Sequence, residues 1–74
     1  MRISYDPEVD AAYITVVDQI GNGEAVEQVI VPRDETNAEF ILDFDSEGSL
    51  LGIEVLAARS GLRPETIAHA ERPA

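Results

Sequence analysis

The sequence predicts a small α+β domain in which four or five antiparallel strands form a meander and a short helix closes the C-terminal end. Two observations support this fold class. Short segments rich in β-branched and aromatic residues alternate with glycine, proline and aspartate at turns. After residue 56 the strand pattern gives way to an alanine-rich segment with helix start and stop signals. The 74 residues are assigned to one domain, with residues 72–74 as a disordered tail.

The N-terminal part predicts a hairpin of two strands, residues 2–5 and 12–17. Residues 6–8 interrupt them, because Pro7 fixes its own φ and biases the residue before it towards an extended conformation. The connection is therefore longer than a two-residue turn. Glycines and an asparagine at residues 21–23 mark a break, and extended structure resumes over 24–32 without a cleanly apolar face.

A second hairpin is predicted from residues 40–44 and 50–56, after a polar loop over 33–37. Gly48 suits the left-handed position of a turn with a bulge, and Asp45 is placed to accept a turn hydrogen bond. The register of this hairpin stays open by one residue, and a slip of one residue exchanges the two faces.

The C-terminal part predicts helical structure in two short pieces. Residues 57–60 favour a helical turn that ends at Gly61. In the following segment, residues 62–70, Pro64 suits the first helical turn and Glu65 suits the positive end of the helix dipole.

Composition restricts the function classes. The formal net charge is −10, from 15 acidic residues and 5 arginines. Such a chain is repelled by nucleic-acid phosphates and by anionic membranes, whereas a basic protein partner is electrostatically favoured. Without cysteine the chain has neither disulfides nor thiolate metal sites, so a domain this small is expected to gain stability as a homodimer, with a partner chain, or through good packing alone.

The expected location is the cytoplasm. No segment reaches the roughly 20 apolar residues of a membrane span, and the first residues lack the apolar core of a signal peptide. The absence of lysine and the frequent alanine are typical of a GC-rich bacterial coding sequence.

Residues 43–54 nearly match a calcium-binding EF-hand loop, with acids at positions 1, 3 and 5, glycine at 6 and Glu54 at 12. The flanking residues argue against this alternative, because the segment before Asp43 favours a strand rather than a helix. Glu47 at position 5 also adds a methylene where a shorter acid is preferred. Weak calcium binding is therefore kept as an alternative hypothesis.

No residue is assigned as catalytic, cofactor-binding or metal-binding, and no cofactor is expected. His69, the single histidine, is interpreted as a surface residue. The alternative enzyme is a small hydrolase or cation-dependent enzyme that uses Asp6, Asp10 and Glu54, which requires these acids to converge in a pocket. Glu54 lies in an apolar strand, so it faces either solvent or a pairing arginine such as Arg2 or Arg59.

Two signatures resemble those of the domain of unknown function 2283 (DUF2283) family. Residues 5–14, Y-D-P-E-V-D-A-A-Y-I, are similar to its opening pattern Y-D-x-x-x-D-x-x-Y-I. Residues 43–48 and 51–56 are similar to D-x-D-x-x-G followed by x-G-I-E-I-L, in the same order and spacing. The resemblance covers residues 1–60, with a departure at 57–60, where the serine falls later than in the family pattern.

The resemblance implies a small antiparallel sheet with a C-terminal helix and no assigned reaction. It also implies a likeness to the antitoxin halves of toxin–antitoxin pairs. The recurring positions are Asp6, Asp10, Tyr13, Asp45, Gly48, Gly52 and Glu54. Asp45 and Gly48 have turn roles, and Gly52 is expected to let an aromatic ring lie across its strand.

Four of these residues, Asp6, Asp10, Tyr13 and Glu54, are the candidates for polar or partner contacts. The leading expectation is a non-catalytic protein-binding module, antitoxin-like, that acts as a homodimer or with a basic protein partner.

Overall fold

The structure is a computed structural model that describes residues 1–72. Of the predicted C-terminal tail, residues 73 and 74 lie outside the described residues. The strands are β1 (Arg2–Asp6), β2 (Ala11–Thr15), β3 (Glu27–Pro32), β4 (Glu39–Phe44) and β5 (Leu50–Leu56). The helices are α1 (Ala58–Gly61) and α2 (Pro64–His69).

All five strands join one antiparallel sheet in the order β1-β2-β5-β4-β3. β1 and β2 form one hairpin, and β3, β4 and β5 form a meander whose last strand pairs with β2. The predicted α+β architecture, with an antiparallel sheet and a short helical C-terminus, is thus confirmed. Residues 16–26 carry the chain from β2 across to the far edge of the sheet.

The β4–β5 turn has the predicted chemistry. Gly48 has φ +84°, and the Asp45 side chain accepts hydrogen bonds from the backbone amides of Glu47 and Ser49 at 3.0 and 2.8 Å. Asp43 pairs with Gly52 and Phe44 pairs with Leu50, so a bulge lies between the two pairs and settles the open register.

Strand β3 begins at Glu27 rather than at the predicted residue 24. The reason is local, because Glu24 closes a turn with Gly21. The Glu24 carboxylate accepts a hydrogen bond from the Gly21 amide at 2.7 Å, and the Glu24 amide donates to the Gly21 carbonyl at 3.2 Å. This turn takes up the residues that the pattern assigned to the start of the strand.

The hydrophobic core lies on one face of the sheet, beneath the two helices. Tyr5, Ala12, Val55 and Ala58 are its buried members. The first three are cross-strand neighbours on β1, β2 and β5, and therefore lie on the same face. Partly buried residues complete it, namely Ile14, Phe40, Ile53, Leu62, Ile67 and Ala70.

Candidate functional site

A polar cluster with one buried member, Asp43, lies on the sheet face opposite the helices. Asp43 of β4 is 7 % exposed and uses both carboxylate oxygens. The Tyr13 hydroxyl donates a hydrogen bond to Oδ2 at 2.8 Å, and the Gln28 side-chain amide donates to Oδ1 at 2.9 Å. These contacts connect β2, β4 and β3, so the cluster holds the edge strand to the centre of the sheet.

Gly52 makes this geometry possible. It lies on β5 between β2 and β4, and the Tyr13 ring crosses directly over it towards Asp43. A Cβ at residue 52 would lie 2.6 Å from Tyr13 Cζ, which is shorter than van der Waals contact. The prediction that Gly52 makes room for an aromatic ring is therefore confirmed, and the ring belongs to Tyr13.

The cluster alters the acidity of its phenol. Burial, the hydrogen bond to Asp43 and the negative charges of Asp43 and Glu54 together raise the pKa of Tyr13 to about 12. The hydroxyl is therefore a hydrogen-bond donor throughout the physiological range. Such a phenol is suited to a structural contact rather than to proton abstraction near neutral pH.

Glu54 lies beside the cluster without joining it. It is half-buried on β5, directly across from Tyr13 on one side and Ile41 on the other. Neither Arg2 nor Arg59 pairs with it, since Arg33–Glu35 is the one ion pair within residues 1–72. Because Glu54 lies directly opposite Tyr13 in the sheet, it shares the helix-free face with Tyr13.

Asp10 fixes the connection between the first hairpin and α1. Its Oδ1 accepts hydrogen bonds from the Tyr5 hydroxyl at 2.8 Å and from the Arg59 backbone amide at 3.0 Å. Its own carbonyl accepts a hydrogen bond from the Ala58 amide at 2.9 Å. The residue has φ +53°, a left-handed conformation that aspartate tolerates better than most residues. Burial and the contact with Asp10 raise the pKa of Tyr5 as well.

The three acids of the hydrolase hypothesis have separate local settings. Asp6 Oδ1 accepts a hydrogen bond from the Glu8 amide at 3.0 Å, which is a turn contact. Asp10 is held by Tyr5 and Arg59, and Glu54 lies on β5 beside Tyr13. No hydrogen bond among the described residues connects any two of them. The separate contacts of these acids within residues 1–72 therefore do not favour the hydrolase hypothesis.

The EF-hand-like segment folds as two strands and a turn. Asp43 is turned into the polar cluster, Asp45 caps the turn, and Glu54 is a strand residue. Within residues 1–72 no group of three acidic or histidine side chains is arranged to hold a metal ion. The interpretation of this segment as a hairpin is confirmed.

The sequence profile of the family described as "Protein of unknown function (DUF2283)" matches residues 2–59, most of the chain. The chain belongs to the DUF2283 family. No curated protein and no solved structure matches it.

The two DUF2283 signatures contribute to two groups of hydrogen bonds, the Tyr13–Asp43–Gln28 cluster and the contacts of Asp10 with Tyr5 and Arg59. Asp10 and Tyr13 of the first signature each fix one cluster, and Gly52 of the second accommodates the Tyr13 ring. Sequence reasoning missed the acceptor of Tyr13, which is Asp43 rather than Glu54. The sequence did hold an indication, because Asp43 is the one acidic residue in the otherwise apolar segment 40–44. In the sheet it shares a face with Ile41, Gly52 and Tyr13.

His69 is exposed near the end of α2, and its Nδ1 lies 2.8 Å from the Glu65 carbonyl oxygen. This agrees with its interpretation as a surface residue. Neither helix of the described chain is long and apolar enough to cross a membrane.

One edge of the DUF2283 sheet is closed by the chain itself. The Tyr5 amide of β1 donates to the Glu71 carbonyl, and the Glu71 amide donates to the Ile3 carbonyl, both at 2.8 Å. Glu71 thereby forms a parallel bridge with Ser4. The Arg72 guanidinium then lies over the Tyr5 ring, 5.4 Å from its centroid, within cation–π range.

The other edge, β3, is open. All six of its residues are exposed, and its three central side chains are large and apolar: Val29, Ile30 and Val31 are 42, 56 and 41 % exposed. Along the part of the chain that the structure describes, β3 pairs with β4 and with no other segment. The candidate functional site is therefore this open edge, held in place by the Tyr13–Asp43–Gln28 cluster.

Proposed function

We propose that this protein is a non-catalytic protein-binding module that pairs the open edge of β3 with a strand of a partner chain. The observation that carries the proposal is that all six residues of the edge strand β3 are exposed, with the apolar residues Val29, Ile30 and Val31 at its centre. An edge strand presents unpaired backbone amides and carbonyls, which is a template for strand addition.

The contrast with usual edge strands strengthens the argument. Natural proteins protect sheet edges with lysine, proline, inward charges, bulges or a covering segment, and of these β3 carries Pro32 at its end. β1 has such cover from Glu71, whereas the apolar centre of β3 has no charged side chain between Glu27 and Arg33. An open apolar edge, at the opposite end of the sheet from a partly covered one, is typical of a binding surface.

Charge supports an interaction module rather than an enzyme. The net charge of −10 favours association with a cationic protein surface, and this is the property that an antitoxin-like role would use. The acids of the hydrolase hypothesis are engaged in turns and strand contacts, so no observation favours that alternative as a second function.

The experiment that tests the proposal is affinity capture with three baits, the wild type, Ile30→Pro and Ile30→Thr. Each bait is exposed to host lysate and, separately, to a labelled copy of the same chain. Proline removes the amide of an exposed edge residue and blocks strand addition, whereas threonine keeps both the amide and the β propensity.

We expect the wild type and Ile30→Thr to retain the same partner chain and Ile30→Pro to retain at least about tenfold less, since each lost tenfold corresponds to about 1.4 kcal/mol. Circular dichroism of the three baits provides the folding control. Equal capture by all three baits, or no capture of either lysate proteins or the labelled copy, contradicts the proposal.

A further inference from the structure

We infer that the partner of the open β3 edge is the β3 edge of a second copy of this chain, paired antiparallel about a two-fold axis at Ile30. The inference rests on the proposed function and specifies the partner. Its support is the pattern of hydrogen-bonding groups and charges along residues 27–33, which is complementary to itself.

The first step is the direction of the backbone groups. In an antiparallel strand, successive residues direct their amides and carbonyls alternately to the two sides. The Asp45 amide bonds the Ser49 carbonyl within the β4–β5 hairpin, so Asp45 points to β5 and Phe44 points to β3. The Phe44 carbonyl accepts a hydrogen bond from the Val26 amide, so Phe44 does point to β3. Val26 precedes β3 and departs from the alternation, so the assignment applies from Glu27 onwards.

The register then assigns the residues of β3. Phe44, Leu42 and Phe40 lie opposite Glu27, Val29 and Val31, which therefore direct their backbone groups to β4. The residues between them direct theirs to the open edge. These outward residues are Gln28, Ile30 and Pro32.

Proline restricts the possible registers. Pro32 has no amide hydrogen, so any pairing that needs it as a donor loses a hydrogen bond. Two symmetric registers keep four hydrogen bonds between copies. One pairs Ile30 with Ile30 of the second copy and Gln28 with Pro32, and the other pairs Gln28 with Ile30.

Charge separates these two registers. The Ile30-centred register places Glu27 opposite Arg33 of the second copy, at both ends of the pairing. The alternative places Glu27 opposite Val31. Arg33 follows the last residue of β3 and forms an exposed ion pair with Glu35 of its own chain at 3.1 Å, so this register requires its guanidinium to turn to Glu27 of the second copy. Opposite charges that face each other across paired strands stabilise the pairing, so the Ile30-centred register is favoured. It also sets Val29 beside Val31 of the second copy on the face that carries the helices.

The overall charge of −10 on each copy opposes self-association, but its effect is limited by distance. Charges more than about 8 Å apart at physiological ionic strength are largely screened, whereas the Glu27–Arg33 contacts are local. Raising the salt concentration should therefore strengthen the association of two copies or leave it unchanged. The same rise in salt concentration should weaken binding to a basic partner.

Sedimentation velocity of the purified chain from about 1 µM to about 1 mM tests the inference, because strand pairing alone gives a weak dimer. We expect a reversible monomer–dimer equilibrium that Ile30→Pro abolishes and Ile30→Thr largely keeps. The register is tested by Glu27→Arg and Arg33→Glu. Each single variant should raise the dimer Kd about five- to tenfold, because it sets like charges opposite each other twice per dimer.

The double variant Glu27→Arg/Arg33→Glu restores both opposite-charge contacts, so it should return the Kd to within about twofold of the wild type. A double variant weaker than either single variant overturns the register. A wild type that remains monomeric over the whole range overturns the second copy as partner. If the wild type is monomeric but captures a lysate protein that Ile30→Pro does not capture, the proposed function stands without this inference. If the wild type is monomeric and the two baits capture the same lysate proteins, both the inference and the proposed function fail.

Discussion

The two edges of this sheet, β1 and β3, differ in how far their outer backbone groups are hydrogen-bonded. Two outer backbone groups of β1, the Tyr5 amide and the Ile3 carbonyl, are bonded by Glu71, and the Tyr5 side chain contacts both Asp10 and Arg72. The outer groups of β3 face solvent, and its side chains are exposed on both faces. The chain thus covers part of β1 with its own C-terminal segment, whereas β3 has Pro32 at its end and no covering segment among the described residues.

The two edges also differ in how they are supported. The β1 side lies under the helices, with Tyr5, Ala12 and Val55 in the core. The β3 side is attached to β4 by backbone pairing and to the sheet centre by the Gln28–Asp43–Tyr13 hydrogen bonds. We therefore expect most of the folding energy on the protected side and a more adaptable strand on the open side.

The largest effect is expected from Asp10→Ala, which removes the hydrogen bonds that join the first hairpin to α1 on the protected side. The Tyr5 hydroxyl and the Arg59 amide lose their acceptor, and alanine at φ +53° is strained. The free energy of unfolding should fall by about 2–4 kcal/mol, measured by urea denaturation. Asp6→Ala is the matched control and should cost about 1 kcal/mol or less, because its contact lies in an exposed turn. Equal losses would show that Asp10 has no special role in joining the first hairpin to α1.

A matched pair of valines compares the two sides directly. Val55 is fully buried beneath the helices, and Val29 is 42 % exposed on β3. Val55→Ala should lower the free energy of unfolding of the monomer by about 2–3 kcal/mol, and Val29→Ala by about 0.5 kcal/mol. Urea denaturation at low protein concentration measures both. A loss at Val29 as large as that at Val55 would mean that β3 is part of the core.

The smallest expected effect is a loss of stability at alkaline pH, and it concerns the Tyr13–Asp43–Gln28 cluster that links the two sides of the sheet. The pKa of Tyr13 is raised from its ordinary value of 10.0 to about 12 in the folded protein, and that of Tyr5 is raised too. The stability due to these shifts is fully present below pH 10 and is lost as the pH rises through the folded pKa values. The free energy of unfolding should therefore fall between pH 10 and pH 12. Absorbance of tyrosinate should show both tyrosines ionising above pH 10 in the native state.

Tyr13→Phe is the control for this titration. It should cost about 1–2 kcal/mol near pH 7, because Asp43 loses one of its two side-chain donors. It should also remove the Tyr13 part of the fall in stability at alkaline pH and leave the Tyr5 part. A titration of wild-type Tyr13 at its ordinary pKa would contradict the buried hydrogen bond to Asp43.

The sequence was most informative where local chemistry decides the structure. Gly48 and Asp45 predicted the β4–β5 turn, and both act within a few positions of their own place in the chain. A glycine within a strand predicted that an aromatic ring lies across Gly52, but not that the ring is that of Tyr13 on β2. The family signatures likewise pointed to Asp10 and Tyr13 as residues with polar contacts.

Contacts that depend on strand order could not be predicted. The acceptor of Tyr13 became visible only when β5 was known to lie between β2 and β4, since Asp43 is thirty residues away in sequence. The covering of β1 by Glu71 and the exposure of β3 depend on the same order. Residues 24–32 lacked a cleanly apolar face, and this now has a physical reason, because neither face of β3 is buried.

The comparison of the two edges is tested most directly by amide hydrogen exchange at Tyr5 and Ile30, measured at protein concentrations below and above the dimer Kd. The Tyr5 amide should be protected at every concentration, because it is bonded to the Glu71 carbonyl. The Ile30 amide should exchange at nearly the free rate in the dilute protein and slow as the second copy pairs with it. Equal protection of Tyr5 and Ile30 in the dilute monomer would contradict the account.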